Sequence, residues 1–296
     1  TLKKLEKKLP SDRSNANFQH WRNIIKPKKD KTVIAICAAT HSLSSWRSLD
    51  DTSLKNIFIP SILRTISDAD RSKYTFRLYL AADHDDEFWL RHKDKVQTPD
   101  WFPVHVGFYN GPHHKIPFNP MMQAAYNDGV DYLVRMNDDS EFKTSGWVSK
   151  AIAKLSSYDP PNVGMVGPNC AEGNTGIMTH DMVHRTHLDI FEHYYPDVFS
   201  AWWIDTWISR VYGPKRSTKI MDWRVTHHIG KHGTRYNVQY KEEGLLKGEL
   251  KSGMAKIKSW LDGHIVSPVI NTTPQKKIEC SSEFAIQKFK QEKGQT

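Results

Sequence analysis

The chain has 296 residues, of which 38% are hydrophobic and 11% aromatic, so it can bury a core of ordinary size and is not expected to be disordered. Lys and Arg exceed Asp and Glu by 42 to 33, which suits an anionic ligand such as nucleic acid or a nucleotide diphosphate. The basic runs contain no interleaved aromatic residues, so we interpret them as solvated surface and expect no nucleic-acid partner. No apolar stretch is long enough for a membrane span, and the first residue, Thr1, leads us to expect a trimmed fragment or processed product.

Strands and helices alternate along most of the chain. Short apolar, β-branched or aromatic runs predict strands at residues 32–39, 74–82, 102–109, 132–136 and 163–167. Helical patterns fall at residues 54–66, 87–96, 120–127, 146–157, 245–261 and 283–290. The alternation predicts an α/β fold with a mostly parallel central sheet and helices on both faces.

The domain organisation follows from the same pattern. Residues 1–30 are polar and basic and are predicted to form a tail or stem. One domain spans residues 31–240, with a first half at 31–142 and a more irregular, aromatic-rich second half at 143–240. Residues 241–296 are predicted to be a helical extension.

The most informative segment is DYLVRMNDDSEF, in which the fourth strand runs directly into Asp138 and Asp139. In an open α/β sheet the ligand site lies beyond the carboxyl ends of the strands. Two carboxylates there repel each other unless a cation lies between them, and Mg²⁺ or Mn²⁺ takes oxygen ligands and bridges to a diphosphate. The alternative is a solvated turn that caps the following helix.

An acidic pair after the fourth strand of a βαβ array resembles the metal-binding motif of GT-A glycosyltransferases. The resemblance covers residues 31–240 by order of elements and implies a single GT-A (Rossmann-like) domain that binds a nucleotide sugar in its first half and an acceptor in its second. It implies that Asp139 ligates the metal and that Asp138 contacts the ribose or a metal-bound water. Asn137 occupies a position that is often acidic in the family, so the two aspartates could exchange roles.

The resemblance implies further contacts with the nucleotide sugar. Thr40 and His41 follow the first strand, where the family binds the base and ribose, although a simple polar turn is the alternative. Asp83 ends the second strand and matches a second ribose or base contact. Lys115 and Asn119 precede the third helix and are placed to reach the diphosphate or the donor sugar, since a helix N-terminus favours anions.

The second half carries the candidate acceptor site. The segment SAWWIDTWISRVY places Asp205 at a helix start beside Trp202 and Trp203. Indole rings cover the apolar faces of sugars while a carboxylate accepts a hydroxyl proton, which is the arrangement that inverting glycosyl transfer needs. We therefore predict that Asp205 is the general base, with a helix-capping acid as the alternative. Asn174, in the turn after the fifth strand, joins Trp202 and Trp203 in the predicted acceptor or sugar pocket.

A late histidine often completes the metal and diphosphate site in the family, and the segment RVTHHIGKHGTRY offers His227, His228 and His232. One of the three is predicted to bind metal, with His228 first and His232 second. Lys231 or Arg235 is placed to contact the diphosphate.

A zinc site is the alternative for a second histidine group, His180, His184 and His187, whose spacing would align them on one helical face. No Cys or acidic partner stands in a recognised zinc pattern, and the three cysteines of the chain are scattered. We prefer a strand-to-helix segment that lines the acceptor side.

Together these features predict a glycosyltransferase that uses Mn²⁺ or Mg²⁺ and moves a sugar from a nucleotide sugar, by the resemblance a UDP-sugar, to a glycan or glycoprotein acceptor. One alternative is a nucleotidyltransferase, although residues 39–45 lack its Gly-rich, basic phosphate loop. Another is a non-catalytic sugar-binding protein on the same fold. A glycosylation sequon at Asn271 fits a lumenal enzyme of the secretory pathway whose anchor has been removed, with the cytoplasm as the alternative.

Overall fold

The computed structural model describes residues 31–112, 114–231 and 236–264. The described residues up to Lys258 belong to one compact unit, and a second unit begins at Ser259. Several predictions therefore lie outside the described residues: the tail at 1–30, the helix at 283–290, the sequon at Asn271, and the site residues His232 and Arg235.

The described residues form one eight-stranded sheet in the order β3-β2-β1-β4-β7-β6-β8-β5. Its strands are β1 (Thr32–Ala39), β2 (Tyr74–Asp83), β3 (Val104–Tyr109), β4 (Tyr132–Asn137), β5 (Ser140–Phe142), β6 (Met165–Ala171), β7 (Asp181–His184) and β8 (Ser217–His227). The first four strands are parallel, β7 is antiparallel to β4 and β6, and β6 pairs with β8 in parallel. The short β5 closes the sheet antiparallel to β8.

The α-helices of the described residues are α1 (Ile59–Thr65), α2 (Asp68–Lys73), α3 (Glu87–His92), α4 (Phe118–Asn127), α5 (Trp147–Ser156), α6 (Thr186–Phe191), α7 (Ile204–Val211) and α8 (Leu246–His264). A single π-helical stretch, Leu54–Phe58, leads into α1. The predicted α/β fold class with a mostly parallel sheet is confirmed. Within the described residues, no helix is long and apolar enough to cross a membrane.

The central strands β1 and β4 are buried because both of their faces are covered. Alternate residues of β1, Ile34 and Ile36, belong to the main hydrophobic core with Phe58 before α1 and Trp147 of α5. Helix α4 contacts β1 and β2 and contributes the fully buried Met121. Strands covered on both faces read as continuous apolar runs, and this is why β1 and β4 were predictable from the sequence.

The first half of the chain follows the sequence prediction, whereas the second half adds strands that the sequence did not predict. β1 has its predicted bounds, and β2, β3 and β4 differ from prediction by one or two residues. The predicted fifth strand at 163–167 is observed as β6, Met165–Ala171. β5 and β8 were missed, because β5 is only three residues long and β8 alternates partly exposed polar and apolar residues.

Helix α7, which carries Asp205, packs against α8 through a glycine. A Cβ atom added at Gly253 of α8 would lie 2.6 Å from Val211 Cγ2 and 3.2 Å from Trp207 Cζ2. The absence of a side chain at Gly253 therefore permits the close approach of the two helices. Gly248, on the same helix, is exposed, and an added Cβ would meet nothing within 4 Å.

These two glycines make a matched pair for testing the packing of α7. We expect Gly253→Ala to lower the free energy of unfolding by about 1–3 kcal/mol, because the added methyl group overpacks the helix contact. Gly248→Ala should raise it by up to about 1 kcal/mol through helix propensity alone. Urea unfolding of both variants measures the difference, and equal effects would mean that α8 does not pack closely on α7.

Candidate active site

The carboxyl ends of β1, β2 and β4 meet at one edge of the sheet. Ala39 at the end of β1 is in register with Ala81 of β2 and with Asn137 of β4. The next residue after β1, Thr40, is 1% exposed, and its hydroxyl donates a 2.7 Å hydrogen bond to Asp138 Oδ2. Thr40 and Asp138, predicted separately, are therefore in direct contact.

A second polar pair lies beside the first. His41 Nδ1 is 3.3 Å from Oδ2 of Asp83, which is the last residue of β2 and is 5% exposed. The His41 ring also lies against Tyr236, with ring centroids 5.8 Å apart. The buried carboxylate of Asp86 accepts a 2.9 Å hydrogen bond from the backbone N–H of Ser42 and also caps α3. It therefore connects the loop after β1 to the start of this helix. This arrangement groups an aromatic ring, an imidazole and a carboxylate beyond the ends of β1 and β2.

The acidic turn is tied to a strand almost ninety residues later in the chain. The antiparallel pairing of β5 with β8 places Ser140 opposite His227. As a result His227 Nε2 lies 3.1 Å from Asp139 Oδ1, and it is also 3.1 Å from the side-chain amide of Asn137. Asp138 and Asp139 are 1% and 2% exposed, so this is a buried acidic turn and not a solvated one.

His228, the first choice from the sequence as metal ligand, has a different partner. Its Nε2 lies 2.9 Å from Glu141 Oε2, and its backbone N–H donates to the Asp139 carbonyl. Glu141 also pairs with Arg64 and Lys143. The tertiary structure thus separates the two neighbouring histidines: His227 faces Asp139, and His228 faces the Glu141 cluster.

The pair Asp139 and His227 fits part of a divalent metal site. Adjacent ligands of an octahedral Mg²⁺ or Mn²⁺ ion, each about 2.1 Å from the metal, are about 3.0 Å apart. The 3.1 Å separation of Asp139 Oδ1 and His227 Nε2 matches that spacing. Among the described residues, no three His, Cys, Asp or Glu side chains form a metal-binding group. Asp139 and His227 could therefore supply two ligands to such an ion, whose other ligands would have to come from a bound diphosphate and water, as is usual for Mg²⁺.

The buried His180 contacts both Ser140, which follows the acidic turn, and His227. His180, which is fully buried, has Nε2 2.7 Å from the Ser140 hydroxyl, and its ring packs edge-on against His227 at 5.2 Å. Burial holds the pKa of His180 well below its usual value, and the nearby His227 and Arg135 act in the same direction. A neutral His180 therefore fixes the ring of His227 without adding charge to the site.

Asp205 lies in the first turn of α7 and forms an ion pair with a buried arginine. Its Oδ1 is 2.8 Å from NH1 of Arg135, and its side chain is 31% exposed. Burial raises the pKa of Asp205, and the charge of Arg135 opposes that rise. Arg135 belongs to β4, so Asp205 packs on the strand that leads into the acidic turn. The N-cap of α7 is Trp203 and not Asp205, and the helix has no side-chain cap.

The two tryptophans before Asp205 differ in environment. Trp202 is 41% exposed, and its indole N–H donates to the carbonyl of Tyr236 at 2.9 Å. Trp203 has a φ of 72°, which is strained for a bulky residue, and its indole nitrogen is buried with no hydrogen-bond partner among the described residues. The buried carboxylate of Glu242 accepts the N–H and hydroxyl of Ser200 and holds the loop in this shape.

Lys115 and Asn119 contact the loop between α6 and α7. Lys115 Nζ lies 2.7 Å from Asp197 Oδ1, and Asn119 exchanges hydrogen bonds with the backbone of Tyr195. The ion pair with Lys115 holds the pKa of Asp197 below its usual value. Asn174 is exposed, and its side-chain oxygen accepts the Gly176 N–H. The assignments of Lys115, Asn119 and Asn174 to a sugar site stay predictions.

The histidines of the alternative zinc site do not converge. His180 contacts Ser140, His184 bonds within its own turn to Thr186, and His187 is 2.9 Å from the hydroxyl of Tyr212. The reason is that β7 and α6 divide the segment, so the helical spacing never applies. The preferred interpretation of this segment, a strand that leads into a helix, is confirmed.

Sequence reasoning missed Arg135, Asp181 and the buried Glu242. The signal for Arg135 was visible, because a charged residue inside the apolar strand YLVRM is almost never fully buried unless it is paired. Asp181 and Glu242 carried no comparable signal, since their partners lie tens of residues away in the chain.

The hydrogen bond between Thr40 and Asp138 can be tested by Thr40→Val. Loss of the hydroxyl leaves a buried carboxylate with one donor fewer, so the free energy of unfolding should fall by about 1–3 kcal/mol. Thr75→Val, at a partly exposed position of β2, is the matched control and should change it by no more than about 0.5 kcal/mol. Thermal or urea unfolding measures both, and an unchanged Thr40→Val variant would contradict this contact.

Comparisons with known proteins leave the family open. No protein-family model matches the chain, and no match is found among curated proteins. Among solved structures, S. aureus TarS 1-349 aligns with a TM-score of 0.47 and 11% identity over 79% of this chain and 72% of that one, and its complex with UDP gives the same values. GalNAc-T7, solved with UDP, GalNAc and Mn²⁺, aligns with a TM-score of 0.47 and 10% identity over 67% of this chain and 44% of that one. At this level of similarity the alignments assign neither a family nor an activity to the chain.

Proposed function

We propose that this protein is a metal-dependent glycosyltransferase that moves a sugar from a nucleotide diphosphate sugar to an acceptor hydroxyl. The observation that carries the proposal is the grouping of a buried acidic turn, a histidine and a partly exposed carboxylate: Asp139 lies 3.1 Å from His227, and Asp205 lies 2.8 Å from Arg135 of β4, the strand that leads into the acidic turn. A leaving diphosphate needs a cation, and an attacking hydroxyl needs a base, so this grouping supplies both requirements of the reaction.

The donor nucleotide would bind at the carboxyl ends of β1 and β2, over Thr40, His41 and Asp83. A carboxylate and an imidazole 3.3 Å apart offer acceptors and a donor for ribose or base groups, and Tyr236 beside His41 offers an aromatic surface. The nucleoside is uridine by the resemblance of the acidic motif to GT-A enzymes. In this assignment residues 31–142 supply most of the donor contacts, joined by His227 and Tyr236, and the rest of residues 143–240 binds the acceptor.

Asp139 and His227 would hold Mn²⁺ or Mg²⁺, because their ligand atoms have the spacing of neighbouring positions in an octahedral shell. When bound, the ion neutralises the charge that develops on the leaving diphosphate. Asp138, whose carboxylate accepts the Thr40 hydroxyl, would contact the ribose or a water bound to the ion. We assign His227 in preference to His228, since the imidazole of His228 is paired with Glu141.

Asp205 would act as the general base in an inverting transfer. It takes the proton of the acceptor hydroxyl while that oxygen bonds to the anomeric carbon and the bond from carbon to diphosphate oxygen breaks. A partly exposed carboxylate with a raised pKa suits this role, since it is accessible and more basic than an ordinary aspartate. Protonation of Asp205 removes the base, so the transfer rate should fall as pH falls through its raised pKa.

Trp202 and Trp203 would bound the sugar pocket, since the exposed indole of Trp202 and the strained Trp203 lie just before Asp205 in the chain.

The acceptor is a glycan or glycoprotein, and the compartment is the lumen of the secretory pathway. The sequon at Asn271, outside the described residues, supports this location. A mass shift of the native protein on treatment with an N-glycosidase tests it, and an unmodified Asn271 would favour the cytoplasm.

Metal-dependent nucleotide binding tests the proposed metal ligands. We expect Asp139→Asn and His227→Ala each to weaken UDP binding in Mn²⁺ by about tenfold or more, equivalent to about 1.4 kcal/mol, because each loses one of two protein ligands. His228→Ala is the matched control, a neighbouring imidazole whose partner is Glu141, and should bind UDP within a few-fold of the native protein. Titration calorimetry with and without Mn²⁺ gives these affinities.

The reverse result, with His228→Ala impaired and His227→Ala normal, would restore the ligand that the sequence favoured. Unchanged affinity in Asp139→Asn would move the metal site away from the acidic turn. A protein that binds UDP and Mn²⁺ but turns over none of a panel of nucleotide sugars would be a sugar-binding protein on this fold.

Asp205→Asn should separate binding from chemistry. The base acts on the acceptor and not on the nucleotide, so UDP affinity in Mn²⁺ should persist while transfer falls by about 10²- to 10⁴-fold. The Asn side chain keeps an acceptor oxygen for Arg135, so the melting temperature should change little. Release of nucleotide diphosphate from a nucleotide-sugar panel, followed by mass spectrometry, measures turnover. Near-normal turnover would exclude Asp205 as the base, and a collapse in melting temperature would assign it a structural role.

A further inference from the structure

We infer that Arg135, anchored by Asp181, is a positioning residue that aims the Asp205 carboxylate and maintains its charge for proton transfer. The inference rests on the proposed function, because it gives Arg135 a role in the chemistry of Asp205. Arg135 itself touches neither the sugar nor the metal in this assignment. It acts through Asp205.

The guanidinium of Arg135 joins two carboxylates that belong to different elements. Its Nε and NH2 lie 2.7 Å and 2.5 Å from Oδ2 of Asp181, and its NH1 lies 2.8 Å from Oδ1 of Asp205. A guanidinium is planar and its donors have fixed directions. Once Asp181 fixes one side of the group, the position of NH1 is set, and with it the position of Asp205.

The anchor side of this network is rigid. Arg135 and Asp181 face each other across the antiparallel pairing of β4 and β7, and their side chains are 3% and 0% exposed. The hydroxyl of Tyr194 donates to the second oxygen of Asp181 at 2.5 Å. On the other side, the guanidinium lies 5.4 Å from the ring centroid of Phe118 at the start of α4. Asp205 is the only member of the Arg135–Asp181–Asp205 group with appreciable exposure, so the network holds one partly exposed carboxylate in place.

The charges of the network also control the protonation of Asp205. The groups that face it are Arg135 from β4, Asp181 from β7, His227 from β8 and Tyr195 from the loop after α6. Burial raises the pKa of Asp205, Arg135 lowers it, and the like charge of Asp181 raises it. Removal of Arg135 should therefore raise this pKa further, whereas neutralisation of Asp181 should lower it.

Stability alone is a poor explanation for this network. Replacing a buried group of ion pairs with well-packed apolar residues is often neutral or stabilising, so two carboxylates and one arginine inside a sheet are not needed to hold it together. The neighbouring positions of β4 on the same face show the alternative, since Leu133 is fully buried there without polar partners. A functional constraint on the orientation and charge of Asp205 accounts for the arrangement.

Four variants of the full chain test the inference: Arg135→Met, Arg135→Lys, Asp181→Asn and the control Arg185→Met. Arg185 directly follows β7, hydrogen-bonds the Val130 carbonyl and packs over the ring of Tyr126, so it matches Arg135 in type but not in partners. Each variant is assayed for melting temperature, UDP affinity in Mn²⁺, and kcat of transfer across pH.

We expect Arg135→Met to lower kcat by about 10²-fold or more with UDP affinity nearly unchanged, and to move the acid limb of the kcat–pH profile to higher pH. Asp181→Asn should move the same limb in the opposite direction, to lower pH. Arg135→Lys keeps the charge but loses the planar fork, so kcat should fall while the acid limb stays near that of the native protein. Arg185→Met should match the native protein in all three measurements.

If the native protein transfers sugar but the acid limb of the kcat–pH profile moves in neither Arg135→Met nor Asp181→Asn, the inference is overturned. The proposed function then stands. Absence of transfer by the native protein with every nucleotide sugar would instead overturn the proposed function. If Arg135→Met does not fold, Arg135→Lys and Asp181→Asn decide the matter: full kcat in the lysine variant, or an unmoved limb in the asparagine variant, contradicts the positioning role.

Discussion

The antiparallel pairing of β5 with β8 is the interaction on which the candidate site depends. β5 is three residues long and begins directly after Asp139, so its register decides what faces the acidic turn. Ser140 lies opposite His227, and this pairing brings the imidazole within 3.1 Å of Asp139. Without that register the two adjacent carboxylates would lack the histidine of the candidate cation site. His180 would also lose its contacts with both Ser140 and His227.

Buried charged residues position Asp205 in the candidate site. Arg135 interrupts an otherwise apolar strand, and its two carboxylate partners come from β7 and from the first turn of α7. The cost of taking three charges out of water is offset only by close ion pairing, so the elements that carry them must dock together. Helix α7 is held in turn by the close approach of α8 at Gly253, and the loop before it is held by Glu242. Asp205 is therefore positioned from several directions at once.

The topology of the sheet brings the acidic turn and the Arg135–Asp181–Asp205 group into one region. β1, β2 and β4 run parallel and end at a common edge, which places Thr40, Asp83 and Asp138 together. After β4 the direction of the neighbouring strand reverses, since β7 runs antiparallel to it. Thr40, Asp83 and Asp138 thus lie at the ends of parallel strands, whereas His227 comes from an antiparallel pairing and Asp205 from α7. The proposed reaction takes place where the two arrangements adjoin, beyond the end of β4.

Local sequence patterns were sufficient to predict the parallel half of the fold and the candidate residues that follow its strands. Continuous apolar runs and turn residues are local signals, and they predicted β1 to β4 within two residues and placed Thr40, Asp83, Asp138 and Asp139 after strand ends. The different partners of His227 and His228 became evident only in the tertiary structure, because no local sequence feature determines which residue each of two adjacent histidines contacts. It alone also joined Arg135 to Asp181 and Asp205, since ion pairs between residues 46 and 70 positions apart depend on strand register and helix docking, which no local pattern encodes.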